Sequence, residues 1–372
     1  MDIHPAMKPF DEAVRFRRQR LEEAASKGRK VIGYFCTYTP VEVIHASGFI
    51  PVRIWGGTGR IEKAYSLVPN FICPYMKLSL EGALNNEFSF LSGIVQGYTC
   101  DVACGAVNIW KDNFSLELCH SLPLPYNDNQ ESREFLRSGI EELAAKLTRI
   151  GGSVTDESLK DSLALYEEIR AMLAWIFKRR AQAELALTAG DVLSIVQAYF
   201  VTPPEEYREM LRALTVYLKD APVSIASGIP VLVSGSVVED AQVFTTIERL
   251  GFKVVADDLC TGRRGFIPFA GLGKAPMERL TDRIMKRFGC PSRSHPRDRV
   301  PLLLELIRAS HAKGVIFVFQ KFCTPHLADH PVVAQLLKEE LIPSIAIELD
   351  ESGLIEAQVA TRLETFRGML EQ

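Results

Sequence analysis

Short apolar runs alternate with amphipathic segments along most of this chain. Residues 31–36 (VIGYFC), 252–258 (FKVVADD) and 314–320 (GVIFVFQ) are apolar runs of strand length. Between such runs, apolar residues recur at the three- and four-residue spacing of helices. Buried strands that alternate with helices in this way predict an α/β fold, with parallel sheets covered by helices on both faces.

The pattern changes near the middle of the chain, where helical spacing continues without an intervening strand. We therefore predict two Rossmann-like or flavodoxin-like lobes with parallel sheets, joined by a helical segment. The predicted segments are an N-terminal helix over residues 1–30, a first lobe over 31–128, a helical connector over 129–222 and a second lobe over 223–372.

Local signals predict where individual helices begin. Residues 7–28 have the pattern of one helix. Thr39 before Pro40, with Glu42 three residues after Thr39, matches a capping box, which favours a capping role for Glu42 over that of a catalytic base. A further helix is predicted over 331–340, which places His326 and His330 in the Pro-rich loop before it, with capping or turn roles.

The charge balance excludes two classes of partner. The 43 Lys and Arg residues nearly match the 46 Asp and Glu residues, so no basic surface for nucleic acid or an anionic membrane is expected. No apolar run approaches the roughly 18–20 residues that span a bilayer. The first 30 residues are charged and lack the apolar stretch of a signal peptide. We expect a cytoplasmic protein.

Eight cysteines in such a protein are expected to stay reduced. In a parallel sheet, ligands bind beyond the carboxyl ends of the strands. Six cysteines occupy predicted loops where such a site could form, and both lobes contribute: Cys36, Cys73, Cys100, Cys260, Cys290 and Cys323. Cys119 lies inside an apolar strand and is expected to be structural. Cys104 follows Cys100 by one helical turn and could share its face.

Thiolates select zinc or iron–sulfur clusters. Zinc and ferredoxin sites usually carry cysteines separated by two residues, and this chain has no such pair. Dispersed cysteines at strand ends suit a cluster held by several loops. A zinc site, and a role of these cysteines as small core residues, stay open at this point.

Seven segments resemble the 2-hydroxyacyl-CoA dehydratase and benzoyl-CoA reductase family, in the expected order and in both lobes. They are YFCTYTPVEVIHASGFIPVRI (34–54), NFICPYMK (70–77), TCD (99–101), VVADDLCTG (254–262), GCPSRSHPRDR (289–299), KFCTPHLADHP (321–331) and ATRLETF (360–366). The helical middle of the chain carries little of the resemblance.

The resemblance implies a cluster-bearing subunit with the cluster in the cleft between the lobes. In the dehydratases of this family, three cysteines bind each 4Fe-4S cluster, and they match Cys73, Cys100 and Cys323. The subunit would pair with a homologous or identical one and receive low-potential electrons from a separate 4Fe-4S ATPase activator. Its reaction would be a radical dehydration of a 2-hydroxyacyl-CoA or a reduction of an aryl-CoA.

Two alternatives remain within this family. One branch carries an 8Fe-9S double-cubane cluster in a homodimer that reduces small molecules, and Cys36, Cys260 and Cys290 would supply its second set of three ligands. Ser292 stands where one relative has a further cysteine. The other alternative is a non-catalytic subunit that only relays electrons.

Other polar residues near these motifs are weaker candidates. Thr37 and Tyr38 follow the first strand and could donate hydrogen bonds to substrate or sulfur. Arg263 and Arg264 could contact CoA phosphates, although a solvated loop is the favoured interpretation. No nucleotide-binding motif is present, so ATP binding would belong to the partner.

Overall fold

The computed structural model of the chain contains two four-stranded sheets, each flanked by helices. The described residues are 5–57, 59–221, 227–266, 274–286, 289–355 and 357–371. The predicted lobe boundary at 222/223 lies outside them. No helix among the described residues is both long and apolar enough to cross a membrane.

The two sheets share one topology. The first contains β1 (Val31–Tyr34), β2 (Ile50–Arg53), β3 (Leu91–Gly97) and β4 (Leu118–Leu122), in the order β2-β1-β3-β4. The second contains β5 (Ile229–Gly235), β6 (Phe252–Asp258), β7 (Gly314–Gln320) and β8 (Ser344–Leu349), in the order β6-β5-β7-β8.

All neighbouring strands are parallel. In each sheet the strand order reverses between the first and third strands, which creates a crevice at their carboxyl ends. The prediction of an α/β fold with two lobes is confirmed.

Fourteen α-helices are present in the described residues. Those of the first half are α1 (Lys8–Arg15), α2 (Arg17–Ser26), α3 (Val41–Ala46), α4 (Pro74–Leu84), α5 (Asp101–Asn113), α6 (Gln130–Arg149) and α7 (Asp156–Ala181). Those of the second half are α8 (Ala189–Val201), α9 (Pro204–Asp220), α10 (Gln242–Arg249), α11 (Pro276–Met285), α12 (Pro296–Ser310), α13 (Thr324–Glu339) and α14 (Ala357–Leu370).

The hydrophobic core extends across these segments. Leu280 and Ile284 of α11 pack with residues of the first sheet, such as Ile32. The connector helices contribute to the core beneath β1 and β2, where Ile169 of α7 and Ile195 of α8 are fully buried. The helical middle of the chain therefore packs against the sheets, as the apolar faces of its helices require.

The predicted capping box at residues 39–42 is wrong. α3 begins at Val41 with Pro40 as its N-cap, and no side chain caps it. Glu42 is fully buried instead and forms ion pairs with Arg170 and Arg283. Because both arginines lie far from Glu42 in sequence, no local pattern could predict these contacts.

Two helix bounds also differ from prediction. The segment predicted as one helix over 7–28 is divided at Phe16, whose φ of −102° and ψ of 15° lie outside helical geometry. α13 begins at Thr324, seven residues before its predicted start, and contains Pro331 in its interior. Pro325 fits its first turn because the amide of that position needs no intrahelical partner. His326 and His330 are therefore helical residues.

A buried carboxylate links three helices from distant parts of the chain. Glu42 on α3 accepts hydrogen bonds from Arg170 on α7 and from Arg283 on α11, the latter at 2.8 Å. Burial alone would raise the pKa of Glu42, but the two guanidinium groups lower it from its ordinary value of 4.5 to about 2. The ionised triad therefore orients α3 against α7 and α11.

Replacing Glu42 with Gln should lower the free energy of unfolding by about 3–5 kcal/mol, because it leaves two buried guanidinium groups without their counter-ion. The stability that ionised Glu42 provides is present above pH 4.5 and is lost as the pH falls toward 2, because its pKa is depressed in the folded state. Urea unfolding of both proteins at several pH values measures this difference.

The matched control is Glu141→Gln, since Glu141 pairs with Arg137 on the exposed surface of α6. This variant should unfold like the parent protein. Equal stability of the Glu42 and Glu141 variants would contradict a structural role for the buried triad.

Candidate functional site

Three cysteines occupy the same position at the start of three helices. Cys73 is the N-cap of α4, Cys100 is the N-cap of α5, and Cys323 is the N-cap of α13. None of the three sulfurs makes a capping hydrogen bond of normal geometry. The sulfur of each nevertheless faces the amide of the residue three positions on, which favours the thiolate.

Burial of the three sulfurs outweighs the stabilising effect of these backbone amides on the thiolates. It raises the pKa of Cys73 to about 11 and that of Cys100 to about 12, and it raises the pKa of Cys323 well above its ordinary value. Charge repulsion between the thiolates adds to these shifts: Cys73 raises the pKa of both Cys100 and Cys323. Repulsion that affects a pKa requires side chains that lie close together.

The other three candidate cysteines join the same group. Burial raises the pKa of Cys290 to about 11, and repulsion from Cys260 and Cys36 contributes. Cys36 and Cys290 also raise the pKa of Cys100, and Cys260 raises that of Cys323. The fold therefore gathers six thiols, which come from both lobes, at the carboxyl ends of the two sheets.

Hydrogen bonds between the lobes hold this cleft together. Arg53 at the end of β2 donates to the carbonyl of Phe35 at 3.0 Å and to the carbonyl of Cys260 at 3.1 Å. Gln320 at the end of β7 accepts from the amide of Tyr75 at 3.3 Å. These bonds connect the loops that carry Cys36 and Cys73 with those of the second lobe.

Arg264 organises the cysteine loops of the second lobe. It donates to the carbonyl of Gly289 at 2.9 Å and to that of Gly235, and its Nε lies 3.3 Å from an oxygen of Asp258. Burial alone would lower the pKa of Arg264, but Asp258 and the nearby thiols of Cys260, Cys290 and Cys323 raise it. The interpretation of Arg264 as part of a solvated loop is wrong, because this residue is only 4% exposed.

Arg299 extends this ion network. Its Nη2 lies 3.1 Å from Asp258, its Nη1 pairs with Asp329, and its Nε donates to Gly289 at 3.1 Å. All of these side chains are buried. The turn before Cys290 is therefore fixed by two guanidinium groups that share one carboxylate, Asp258.

His326 lies between this network and Cys323. Its Nδ1 is 3.2 Å from the sulfur of Cys323, and its Nε2 is 3.4 Å and 3.3 Å from the two terminal nitrogens of Arg264. Burial, together with the charges of Arg264 and Arg299, lowers the pKa of His326 well below its ordinary value. The ring is therefore neutral, and the expectation of a capping or turn role is not met.

An apolar cavity of about 310 Å³ adjoins the three N-cap cysteines. Ile72, Asp101 and Thr324, which are direct sequence neighbours of Cys73, Cys100 and Cys323, line it. Most of its wall is aliphatic or aromatic: Leu67, Val68, Pro69, Phe71, Met76, Leu80, Val102, Ala106, Ile109 and Trp110. A cavity of this size and polarity is typical of a small-molecule site.

The remaining candidates lie elsewhere. Cys119 is on β4 and packs against the core, while Cys104 lies on α5 near Asp101 and Arg293. Thr37 is half-buried just after Cys36. Tyr38 is 4% exposed and lines a separate cavity of about 50 Å³. Contact of Thr37 or Tyr38 with a substrate stays a prediction.

Sequence reasoning missed a buried glutamine that supports the first lobe. Gln96 on β3 is fully buried and accepts hydrogen bonds from the amides of Phe35 and Cys36, the latter at 3.0 Å. A glutamine inside the apolar run 91–98 is a signal that could have found it, because buried polar side chains require partners. It fixes the loop that follows β1.

The thiols are not arranged around one point. In the described part of the chain, no three His, Cys, Asp or Glu side chains form a group that could hold a single metal ion. The donors that do gather in the cleft are soft sulfur ligands, of the kind that zinc and iron–sulfur clusters take.

A family model described as the 2-hydroxyglutaryl-CoA dehydratase D-component matches residues 36–370. The chain belongs to this family. The match covers all six gathered cysteines and every strand except β1, and it confirms the resemblance inferred from seven short segments. The chain is therefore an enzyme subunit of the dehydratase and reductase type.

Relatives of known name align with this chain over nearly their full length. The (R)-phenyllactyl-CoA dehydratase beta subunit of Clostridium sporogenes is 28% identical over 345 residues, which are 91% of both chains. One of the subunits of benzoyl-CoA reductase from Thauera aromatica is 26% identical over 95% of this chain and 94% of its own. The (R)-2-hydroxyglutaryl-CoA dehydratase beta subunit of Acidaminococcus fermentans is 23% identical over 98% and 99%. All three are subunits of larger enzymes.

In protein prepared without metal, Cys73 and Cys100 should react slowly with iodoacetamide near neutral pH. Their raised pKa values, about 11 and 12, keep the thiols protonated, and the thiolate is the reactive form. The alkylation rate should rise as the pH approaches these values. Peptide mapping by mass spectrometry follows each site.

Cys104 is the internal control, because it lies one turn along the same helix as Cys100. Burial and Asp101 raise the pKa of Cys104, but Arg293 lowers it and offsets part of that effect. Cys104 should therefore be alkylated faster than Cys100 at neutral pH. Equal rates at the two positions would contradict the environment described for the N-cap thiols.

Proposed function

We propose that this chain is a cluster-bearing subunit of an acyl-CoA dehydratase or reductase, with a 4Fe-4S cluster on Cys73, Cys100 and Cys323. One observation carries the proposal: the three thiols lie at three helix N-termini, and their sequence neighbours line a single apolar cavity. A homologous or identical subunit would complete the enzyme, and a separate ATPase activator would supply its electrons.

The donor set fits such a cluster. Three thiolates satisfy three irons of a cubane and leave the fourth open, and helix N-termini stabilise the negative charge of thiolate ligands. When bound, the cluster would supply one electron at low potential to a thioester carbonyl. The residues of this chain would orient the acyl group, exclude water from it and set the charge around the sulfurs.

The cavity favours an uncharged acyl group. Among the described residues that line it, Asp101 is the only charged one, and its carboxylate would repel a second carboxylate on the substrate. Trp110, Phe71 and Met76 offer apolar surface suited to an aromatic or branched chain. We therefore infer an apolar 2-hydroxyacyl-CoA or aryl-CoA as substrate, in preference to a dicarboxylic one.

Strictly anaerobic protein is expected to contain about four irons and four sulfides per chain. The variants Cys73→Ala, Cys100→Ala and Cys323→Ala should each lose most of this iron, because two thiolates cannot hold a cubane. Cys119→Ala is the matched control and should retain it, since Cys119 packs against the core on β4. Iron and acid-labile sulfide are measured after reconstitution.

The proximity of Cys36, Cys260 and Cys290 to the first three thiols favours a second candidate function, a double-cubane reductase of small molecules. A double-cubane reductase would contain about eight irons per chain and would lose them when these second three cysteines are replaced. Four irons that survive in Cys36→Ala would support the single cluster. Absence of iron and sulfide from protein never exposed to oxygen would overturn both candidates.

Gly105 offers a test of the acyl pocket. It lies on α5 in the wall of the cavity, and a Cβ at this position would meet open space. Gly105→Leu should fill part of the cavity without backbone strain, and it should reduce turnover of a bulky acyl-CoA by about tenfold or more while the iron content is unchanged. Activity is measured in the complete enzyme with its activator.

The matched control is Gly368→Leu on α14, where a Cβ also meets open space but which lies outside the wall of this cavity. This variant should keep full activity. Full activity of Gly105→Leu with a bulky acyl-CoA would contradict the pocket assignment. If the partner subunit held the substrate and this chain only relayed electrons, Gly105→Leu would also keep full activity. In that case the cluster of this chain would still be reduced and reoxidised during turnover.

A further inference from the structure

His326 is held between a cysteine sulfur and a guanidinium group. Its Nδ1 lies 3.2 Å from the sulfur of Cys323, and its Nε2 lies 3.4 Å and 3.3 Å from Nη1 and Nη2 of Arg264. The residue is only 6% exposed. Both ring nitrogens are therefore committed to protein partners.

The chemistry of the two partners determines which ring nitrogen carries the proton. A guanidinium group only donates hydrogen bonds, so the Nε2 that faces it must present its lone pair. A thiolate that is bound to a metal only accepts, so the Nδ1 that faces Cys323 must present an N–H. Both neighbours select the same Nδ1–H tautomer.

The carbonyl of Gly235 also lies near the ring and could accept an Nε2–H from the opposite tautomer. That carbonyl already accepts a hydrogen bond from Nη2 of Arg264. The Nε2–H would also oppose two N–H groups of Arg264, and the Nδ1 lone pair would oppose the sulfur. The arrangement at both ends of the ring therefore disfavours it.

We propose that His326 is a positioning residue that donates its Nδ1–H to the sulfur of Cys323, and that Arg264 fixes the tautomer which allows this. The inference rests on the proposed function, in which Cys323 is a cluster ligand. A hydrogen bond to a ligand sulfur withdraws negative charge from it, which stabilises the reduced state of the cluster and raises its potential.

This contact makes one cluster ligand different from the others. Within the described residues, Cys323 is the only one of the six gathered cysteines whose sulfur has a side-chain hydrogen-bond partner. Cys73 and Cys100 face backbone amides instead. The second lobe would therefore adjust the electronic properties of a site that the first lobe mainly encloses.

Three substitutions of His326 separate hydrogen bonding from packing. His326→Asn carries an amide N–H close to the position of Nδ1 and can still donate to Cys323. His326→Gln extends its amide toward the position of Nε2, and His326→Leu has no polar group. His330→Leu is the matched control, because His330 lies one turn along α13 and packs on Phe317 and Phe319.

The measurement is the midpoint potential of the cluster in anaerobic full-length protein, by redox titration followed with electron paramagnetic resonance. His326→Leu should make reduction about tenfold less favourable, which is about 59 mV more negative for one electron. His326→Asn and His330→Leu should keep the parent potential. An unchanged potential in His326→Leu at full iron content would overturn the proposal.

If His326→Leu does not retain its cluster, the comparison of Asn with Gln decides. The Gln variant should have the more negative potential, and equal potentials in the two amide variants would overturn the proposal. Absence of a cluster from the parent protein is a different result, because it contradicts the proposed function itself. The potential is measured without turnover, so it does not depend on which substrate the enzyme takes.

Discussion

The side chain of Arg264 is the contact on which the second half of the site depends. One buried guanidinium joins the end of β5 through Gly235, the turn before Cys290 through Gly289, and the end of β6 through Asp258. A buried cation is stable only when it is paired and hydrogen-bonded. The loops that accept hydrogen bonds from Arg264 are thereby held in one arrangement. Those loops contain Cys260 and Cys290, and the contacts of His326 link Arg264 to Cys323.

Neutral glutamine side chains also hold the cysteine loops, one from each lobe. Gln96 fixes the backbone before and at Cys36, and Gln320 crosses the cleft to the amide of Tyr75, two residues after the N-cap of α4. Cys100 and Cys323 follow β3 and β7, which occupy corresponding positions in two sheets of the same topology. The apolar cavity of about 310 Å³ lies next to the N-cap thiols.

The buried charges also explain why the lobes and the helical middle form one packed unit. Glu42 satisfies arginines from α7 and α11, while Arg53 satisfies carbonyls on both sides of the cleft. Each of these groups would be costly to bury alone. The helices between the two sheets therefore do more than connect them, since they supply the partners that allow polar groups to remain in the interior.

The sequence by itself determined the fold class and the family to which the chain belongs. Strand periodicity, strand-end cysteines and seven short motifs predict the fold class and the candidate thiols, because these features depend on neighbouring residues. Only the tertiary structure decided the roles of Glu42, Arg264 and His326. Their partners lie 241, 29 and 62 residues away in the hydrogen bonds that define them. A charged side chain near a turn looks solvated until distant segments enclose it, so its burial cannot be read from local pattern.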